Sequence, residues 1–208
     1  METMIDATER WLPGVLSDDQ IRHLAKRGMI EPFIDKAVRT NDKGEKILSY
    51  GLGSYGYDFR VDDDWKVFTP TGRSHIIDPK KMDDKAFVSV KGEGSVVIPA
   101  NGFVLARSVE RFVIPDDVIC VVFTKSSYAR CGIAMQLTPL EPGWTGYVTV
   151  EIGNTTPHQA RVYANEGVGQ ILFFKGSRPC ARTYANKNEG GAAGKYMDQP
   201  PEIILPRL

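Results

Sequence analysis

Cysteine and histidine are scarce in this chain, with three of each in 208 residues. Cys120, Cys131 and Cys180 stand far apart and form no Cys-x-x-Cys pair. His23, His75 and His158 are equally scattered, without a His-x-Glu or His-Glu-x-x-His arrangement. Zinc sites draw their ligands from closely spaced pairs of that kind, so a zinc-bound hydroxide is not expected. The thiols read as reduced and packed in a cytoplasmic protein. Net charge is also lacking, 26 basic residues balancing 26 acidic ones, which excludes a nucleic-acid binder that relies on a global basic field. A few cations in one cleft still suit a small anion. No apolar run approaches the roughly 20 residues that span a bilayer, and Met1 to Arg10 is polar and acidic rather than leader-like. One domain over residues 1–208, without membrane or nucleic-acid partners, is the expectation. A hydrophobic content of 42% is ample for its core.

What the chain does have is punctuation. Ser17-Asp18-Asp19-Gln20 carries an N-cap serine with a glutamine at the capping-box position. Ile21, Leu24 and Ala25 follow at helical spacing, and Gly28 supplies a stop. After Tyr50 the texture changes to short apolar or alternating runs. They cover Trp65 to Phe68, Ser95 to Ile98, Phe103 to Ala106, Val118 to Phe123, Tyr147 to Ile152 and Gln170 to Phe174, and most of the twenty glycines and thirteen prolines separate them. Many short strands at such spacing predict a mainly β barrel or sandwich with a short N-terminal helix. From Tyr184 the composition is that of a flexible tail, with Asn186 to Gly194 rich in glycine and asparagine.

Three segments hold candidate chemistry. Thr124 to Gly132 packs two serines and two cations behind an apolar strand. It reads either as an anion site at the start of a short helix or as a capped helix with solvated charges. The strand from Tyr147 to Ile152 alternates, placing Val148, Val150 and Ile152 on one face and Tyr147, Thr149 and Glu151 on the other. Glu151 is thus either a surface glutamate or, in a protected cleft, a general base with a raised pKa. The glycine- and tyrosine-rich stretch from Ser49 to Arg60 reads as strand, turn, strand, or as a place of close backbone approach. Gln170, opening an apolar strand, is ambiguous in the same way.

Ser54-Tyr55-Gly56-Tyr57-Asp58, Lys125 to Gly132, Glu141 to Glu151 and Lys195-Tyr196 together resemble the dCTP deaminase family of the trimeric dUTPase-like superfamily, from about Val15 to Gln199. The resemblance implies a homotrimer of dUTPase-like distorted β-barrels (β-clip type) with a flexible C-terminal lid over residues 185–208. Active sites would lie at subunit interfaces. Implied chemistry is hydrolytic deamination of dCTP to dUTP and ammonia, in pyrimidine deoxynucleotide synthesis. Mg²⁺ would be held mainly by the triphosphate, with no zinc. Glu151, Ser126 and Arg130 fall on the catalytic positions. Nucleotide contacts fall on Lys125, Ser126, Ser127, Tyr128, Ala129, Arg130, Thr149, Val150, Glu151, Gln170, Tyr184, Lys195 and Gln199.

Five features depart from the pattern. Lys125 stands where many relatives have arginine, Glu141 where others have aspartate, and Pro139 near an arginine of some deaminases. Asn186 to Gly194 is longer than expected, and residues 1–14 form an N-terminal extension. The alternatives are a dUTPase, a bifunctional enzyme that carries dCTP on to dUMP and pyrophosphate, or a non-catalytic nucleotide-binding trimer. A shared fold does not separate them.

Overall fold

The structure, a computed structural model, describes residues 11–69 and 77–207. Residues 1–10 of the N-terminal extension, His75 and the terminal Leu208 lie outside the described residues. In chain order the elements are β1 (Gly14–Val15), α1 (Asp18–Ala25), β2 (Ile30–Glu31), β3 (Val38–Thr40), β4 (Lys46–Leu52), β5 (Tyr57–Phe68), β6 (Phe87–Lys91) and β7 (Ser95–Ile98). Then follow β8 (Phe103–Val113), β9 (Val118–Thr124), α2 (Ser126–Ala129), β10 (Ile133–Met135), β11 (Thr145–Asn154), β12 (Ala160–Tyr163) and β13 (Gly167–Lys175).

Local chemistry sets the start of the chain. The Ser17 backbone N–H donates to Gln20 Oε1 at 3.0 Å, closing the capping box. Asp18 and Asp19 occupy the first turn, and α1 buries Ile21, Leu24 and Ala25. Beyond it, every strand pairing is antiparallel. The main sheet runs β1-β13-β5-β8-β11-β10, with β9 added on β13, β6 and β4 on β5, and β2 on β8, while β7 and β12 form a separate pair. β5 turns the sheet on itself. Its first four residues pair with β13, its later ones with β8 and β6, and the register shifts between Val61 and Trp65. Such bulges bend strands and let a sheet curl around its core. Tyr57, Phe59, Trp65, Phe112, Ile171 and Phe173 are wholly buried inside that curl.

β5 and β8 exceed the runs from Trp65 to Phe68 and from Phe103 to Ala106 that apolar periodicity marks, because polar residues continue both strands. Asp63 faces inward, but its carboxylate accepts from Trp65 Nε1 (3.1 Å) and Gly94 N (2.7 Å). Glu110 is fully buried yet accepts from the Arg60 backbone N–H (2.9 Å) and Arg60 Nε (2.8 Å). Paired in this way, buried polar groups are tolerated. A second bulge lies where β8 carries extra residues opposite Tyr147 and Thr149. There the Ser108 hydroxyl accepts from Val148 N (2.8 Å) and donates to Glu110 O (2.6 Å), supplying the bond the ladder omits. This bulge sets the direction in which the second half of β11 points.

Candidate active site

A cavity of about 890 Å³ opens against β11, within the roughly 300–1,000 Å³ of small-molecule sites. Phe103 and Leu105 of β8 form one wall and the Leu137–Glu141 loop another. Thr149 and Glu151 project from β11, and residues from Tyr184 onward close the far side. Strand alternation sends Thr149 and Glu151 to this face, while Val150 and Ile152 are wholly buried in the core. Contact between Val150 and a ligand is therefore left to its backbone.

Glu151 is opposite Leu105 in the β8 register. Burial among apolar groups pushes its pKa up to about 7, partly offset by a backbone hydrogen bond. Its Oε2 atom is buried and has no hydrogen-bond partner among the described residues. A carboxyl poised near neutrality can take a proton from one atom and return it to another, as a general base that becomes a general acid must.

The tail is packed across this cavity. Trp144 Nε1 donates to Tyr196 O at 2.8 Å, and Tyr147 N donates to Gln199 O at 3.1 Å. The Thr149 hydroxyl meets Gln199 Oε1 at 3.0 Å and accepts from Ile204 N at 3.1 Å. Tyr184 is the tail's anchor: its N–H donates to Pro142 O (2.7 Å), its carbonyl accepts from Gly194 N (2.7 Å), and its hydroxyl accepts from Tyr196 N (3.0 Å). Gly194, in the stretch that looks like linker composition, and Gly146 of β11 are required by close approach. A Cβ on Gly194 would stand 2.3 Å from the Tyr184 ring, and one on Gly146, whose φ is +134°, would stand 2.5 Å from Gln199 N.

Of the residues marked from sequence, the chain brings Thr149, Glu151, Tyr184, Lys195 and Gln199 to one cavity. Residues 125–130 and Gln170 are not on its walls. They form a second cluster where β9 ends and α2 begins. Lys125 Nζ pairs with Asp58 Oδ2 at 2.5 Å, and Gln170 Nε2 donates to Asp58 Oδ1 at 3.2 Å, so the Lys125 charge is already neutralised. Tyr128 is buried, and its hydroxyl accepts from Tyr163 N at 2.9 Å, which makes its side chain part of the core. Ser126, Ser127, Ala129 and Arg130 are exposed. Arg130 has no ion-pair partner among the described residues. Between the two sites β9 presents Ile119, Val121 and Phe123 outward, with Ile119 at 40% and Phe123 at 52% exposure.

Sequence reasoning marked Glu141 only as a departure from the family pattern, and missed Lys187 and the apolar walls. Lys187 and Glu141 are ion-paired on the cavity lining, and Lys187 is hidden in the glycine-rich stretch. A lysine inside a glycine- and asparagine-rich stretch was the available signal. Among the described residues no group of three or more His, Cys, Asp or Glu side chains is placed to hold a metal ion. No helix among them is long and apolar enough to cross a membrane.

A curled antiparallel β protein with one neutral-range carboxyl in an apolar cavity, roofed by a lysine-bearing tail, has the construction of a small-molecule enzyme. The chain belongs to the dCTP deaminase-like family, whose model matches residues 15–176. A dCTP deaminase of Acidobacterium capsulatum is 53% identical over 195 residues, covering 94% of this chain and 100% of its own. One of Chloroflexus aurantiacus is 50% identical over 195 residues, covering 93% and 98%. Among solved structures, the 2'-deoxycytidine 5'-triphosphate deaminase from Agrobacterium tumefaciens superposes with a TM-score of 0.56 at 18% identity, over 79% of this chain and 48% of that one. This chain thus spans about half the length of that solved relative, and the likeness is one of fold.

Proposed function

We propose that this protein is a cytoplasmic dCTP deaminase, releasing ammonia from the cytosine C4 of dCTP to give dUTP. Relatives that carry that activity in their names match nearly the whole chain at about half identity. The observation that carries the chemistry is Glu151, a half-buried residue whose Oε2 atom is buried and unpartnered among the described residues and whose pKa is raised to about 7. Water must lose a proton to attack C4. Glu151 takes that proton and delivers it to the ring nitrogen. The C4–N bond then breaks and the amine leaves as ammonia with the second proton. Developing charge needs hydrogen-bond donors placed in advance.

Ser126 and Arg130 supply those donors from a neighbouring copy. They are exposed and away from this chain's own cavity, and the apolar strip on β9 links the two places. A homotrimer with sites between subunits satisfies all three observations. Mg²⁺ arrives as part of the substrate, held by its phosphates.

The deciding experiment is incubation with dCTP and Mg²⁺ followed by separation of products. Equal amounts of dUTP and ammonia, with no pyrophosphate, are expected. dUMP with pyrophosphate replaces this reading by the bifunctional one, and binding of dCTP with no ammonia replaces it by a non-catalytic nucleotide-binding trimer.

A further inference from the structure

The cavity has two cationic side chains on its described lining, Lys187 and Lys195. The resemblance that marks Lys195 does not extend to Lys187, which lies inside the long Asn186–Gly194 stretch. Lys187 is nonetheless held in place. The preceding turn is pinned by Thr183 N donating to Asn186 Oδ1 at 2.7 Å, and the Lys187 ammonium stands 4.7 Å from the centre of the Tyr184 ring. That ammonium pairs with Glu141 Oε1. Both side chains are well exposed, at 37% and 42%. An ion pair of this kind is weak and screened by solvent, so a more highly charged anion displaces its carboxylate readily. A triphosphate offers several oxygens with concentrated charge, which suits a lysine point charge.

We propose that Lys187 is a binding residue for the phosphate chain of the substrate, and that Glu141 holds its ammonium at the cavity edge until the nucleotide arrives. This rests on the deaminase reading for the identity of the substrate. The role is one of affinity: Lys187 holds phosphates away from the C4 atom, so it acts on substrate capture and leaves the proton transfers of Glu151 alone.

Lys187→Met is expected to raise KM for dCTP about tenfold while kcat stays within about twofold. It should also flatten the salt dependence of KM, and Lys187→Arg should restore most of the affinity. Glu141→Gln, which releases the ammonium, should leave KM for dCTP unchanged or lower it. A purely structural pair behaves otherwise: both variants would then lose melting temperature and activity together, and that result overturns the proposal. So does a KM for Lys187→Met within about twofold of the parent. Calorimetric titration with inorganic tripolyphosphate separates the two claims. Tenfold weaker tripolyphosphate binding by Lys187→Met supports the assignment even if the parent protein releases no ammonia from dCTP, which would sink the deaminase reading alone. Equal binding by parent and variant overturns it.

Discussion

Glu151, on the cavity face of β11, and Arg130, at the end of α2, are left incomplete in complementary ways. The carboxyl is buried beneath the tail, with one oxygen unpartnered and its pKa near 7. The guanidinium is exposed beside two exposed serines and has no acid to pair with among the described residues. One region has a base with no donor at its Oε2 atom among the described residues, and the other has exposed donors that do not line that cavity. Within one folded chain they do not meet. In the trimer proposed above, the second region of one copy completes the first region of another.

The largest effect should come from separating the two halves by mutation. Glu151→Gln and Arg130→Ala are each expected to lower kcat by about 10²–10⁴, with dCTP still binding to the glutamine variant. Mixed, dissociated and reassembled in equal amounts, the two inactive proteins should recover about a quarter of parental activity, because random assembly pairs an intact Glu151 with an intact Arg130 at that frequency. Recovery absent under conditions in which subunits demonstrably exchange would place both residues in one chain's site and end the comparison.

Next in size is removal of the tail. A chain ending at Gly194 loses the Gln199 and Ile204 bonds to Thr149 and the Trp144 bond to the Tyr196 carbonyl. KM for dCTP should rise by roughly 10–100-fold as water enters beside Glu151. Size-exclusion chromatography should report an unchanged assembly, since β9 and α2 keep their surroundings. Unaltered kinetics would assign the tail no part in the cavity.

The same two regions differ in how legible they were in the sequence. The helix was readable because the Ser17–Gln20 capping box is a local device, and strands β7, β9 and β11 because apolar alternation needs only neighbours. Alternation also gave the face of Glu151. Its burial was not readable, since that depends on β8 and on a tail folding back from about fifty residues away. Glycine composition concealed the tail's packing: Gly194 signals flexibility to a reader of composition, but here it permits a contact with Tyr184 that a Cβ would forbid. The Ser126–Arg130 cluster was recognisable as a motif. Its distance from Glu151 was not, because separation in space is a property of the closed sheet. Lys125 shows the same limit, its charge being cancelled by Asp58 from a different strand.

The smallest expected effect is also the most direct measure of the environment around Glu151. Its folded-state pKa of about 7 lies above the ordinary glutamate value of about 4.3, so the folded state binds the proton more tightly than the unfolded one. The contribution to stability is therefore greatest below the unfolded pKa, is lost as pH rises through about 7, and is level above that. Glu151→Gln removes the penalty of ionising a desolvated group and should stabilise the protein by roughly 3–4 kcal/mol at pH 8 and by nothing measurable near pH 4. In the same window kcat/KM of the parent should fall about tenfold per unit as pH drops below the carboxyl's pKa. An adjacent guanidinium favours the carboxylate. If Arg130 of another copy faces Glu151, the kinetic pKa of the assembled enzyme lies below 7, and Arg130→Ala moves it upward. A pH profile that Arg130→Ala leaves in place, measured on its residual activity, would mean that the charge never reaches the base and that the two regions serve separate purposes.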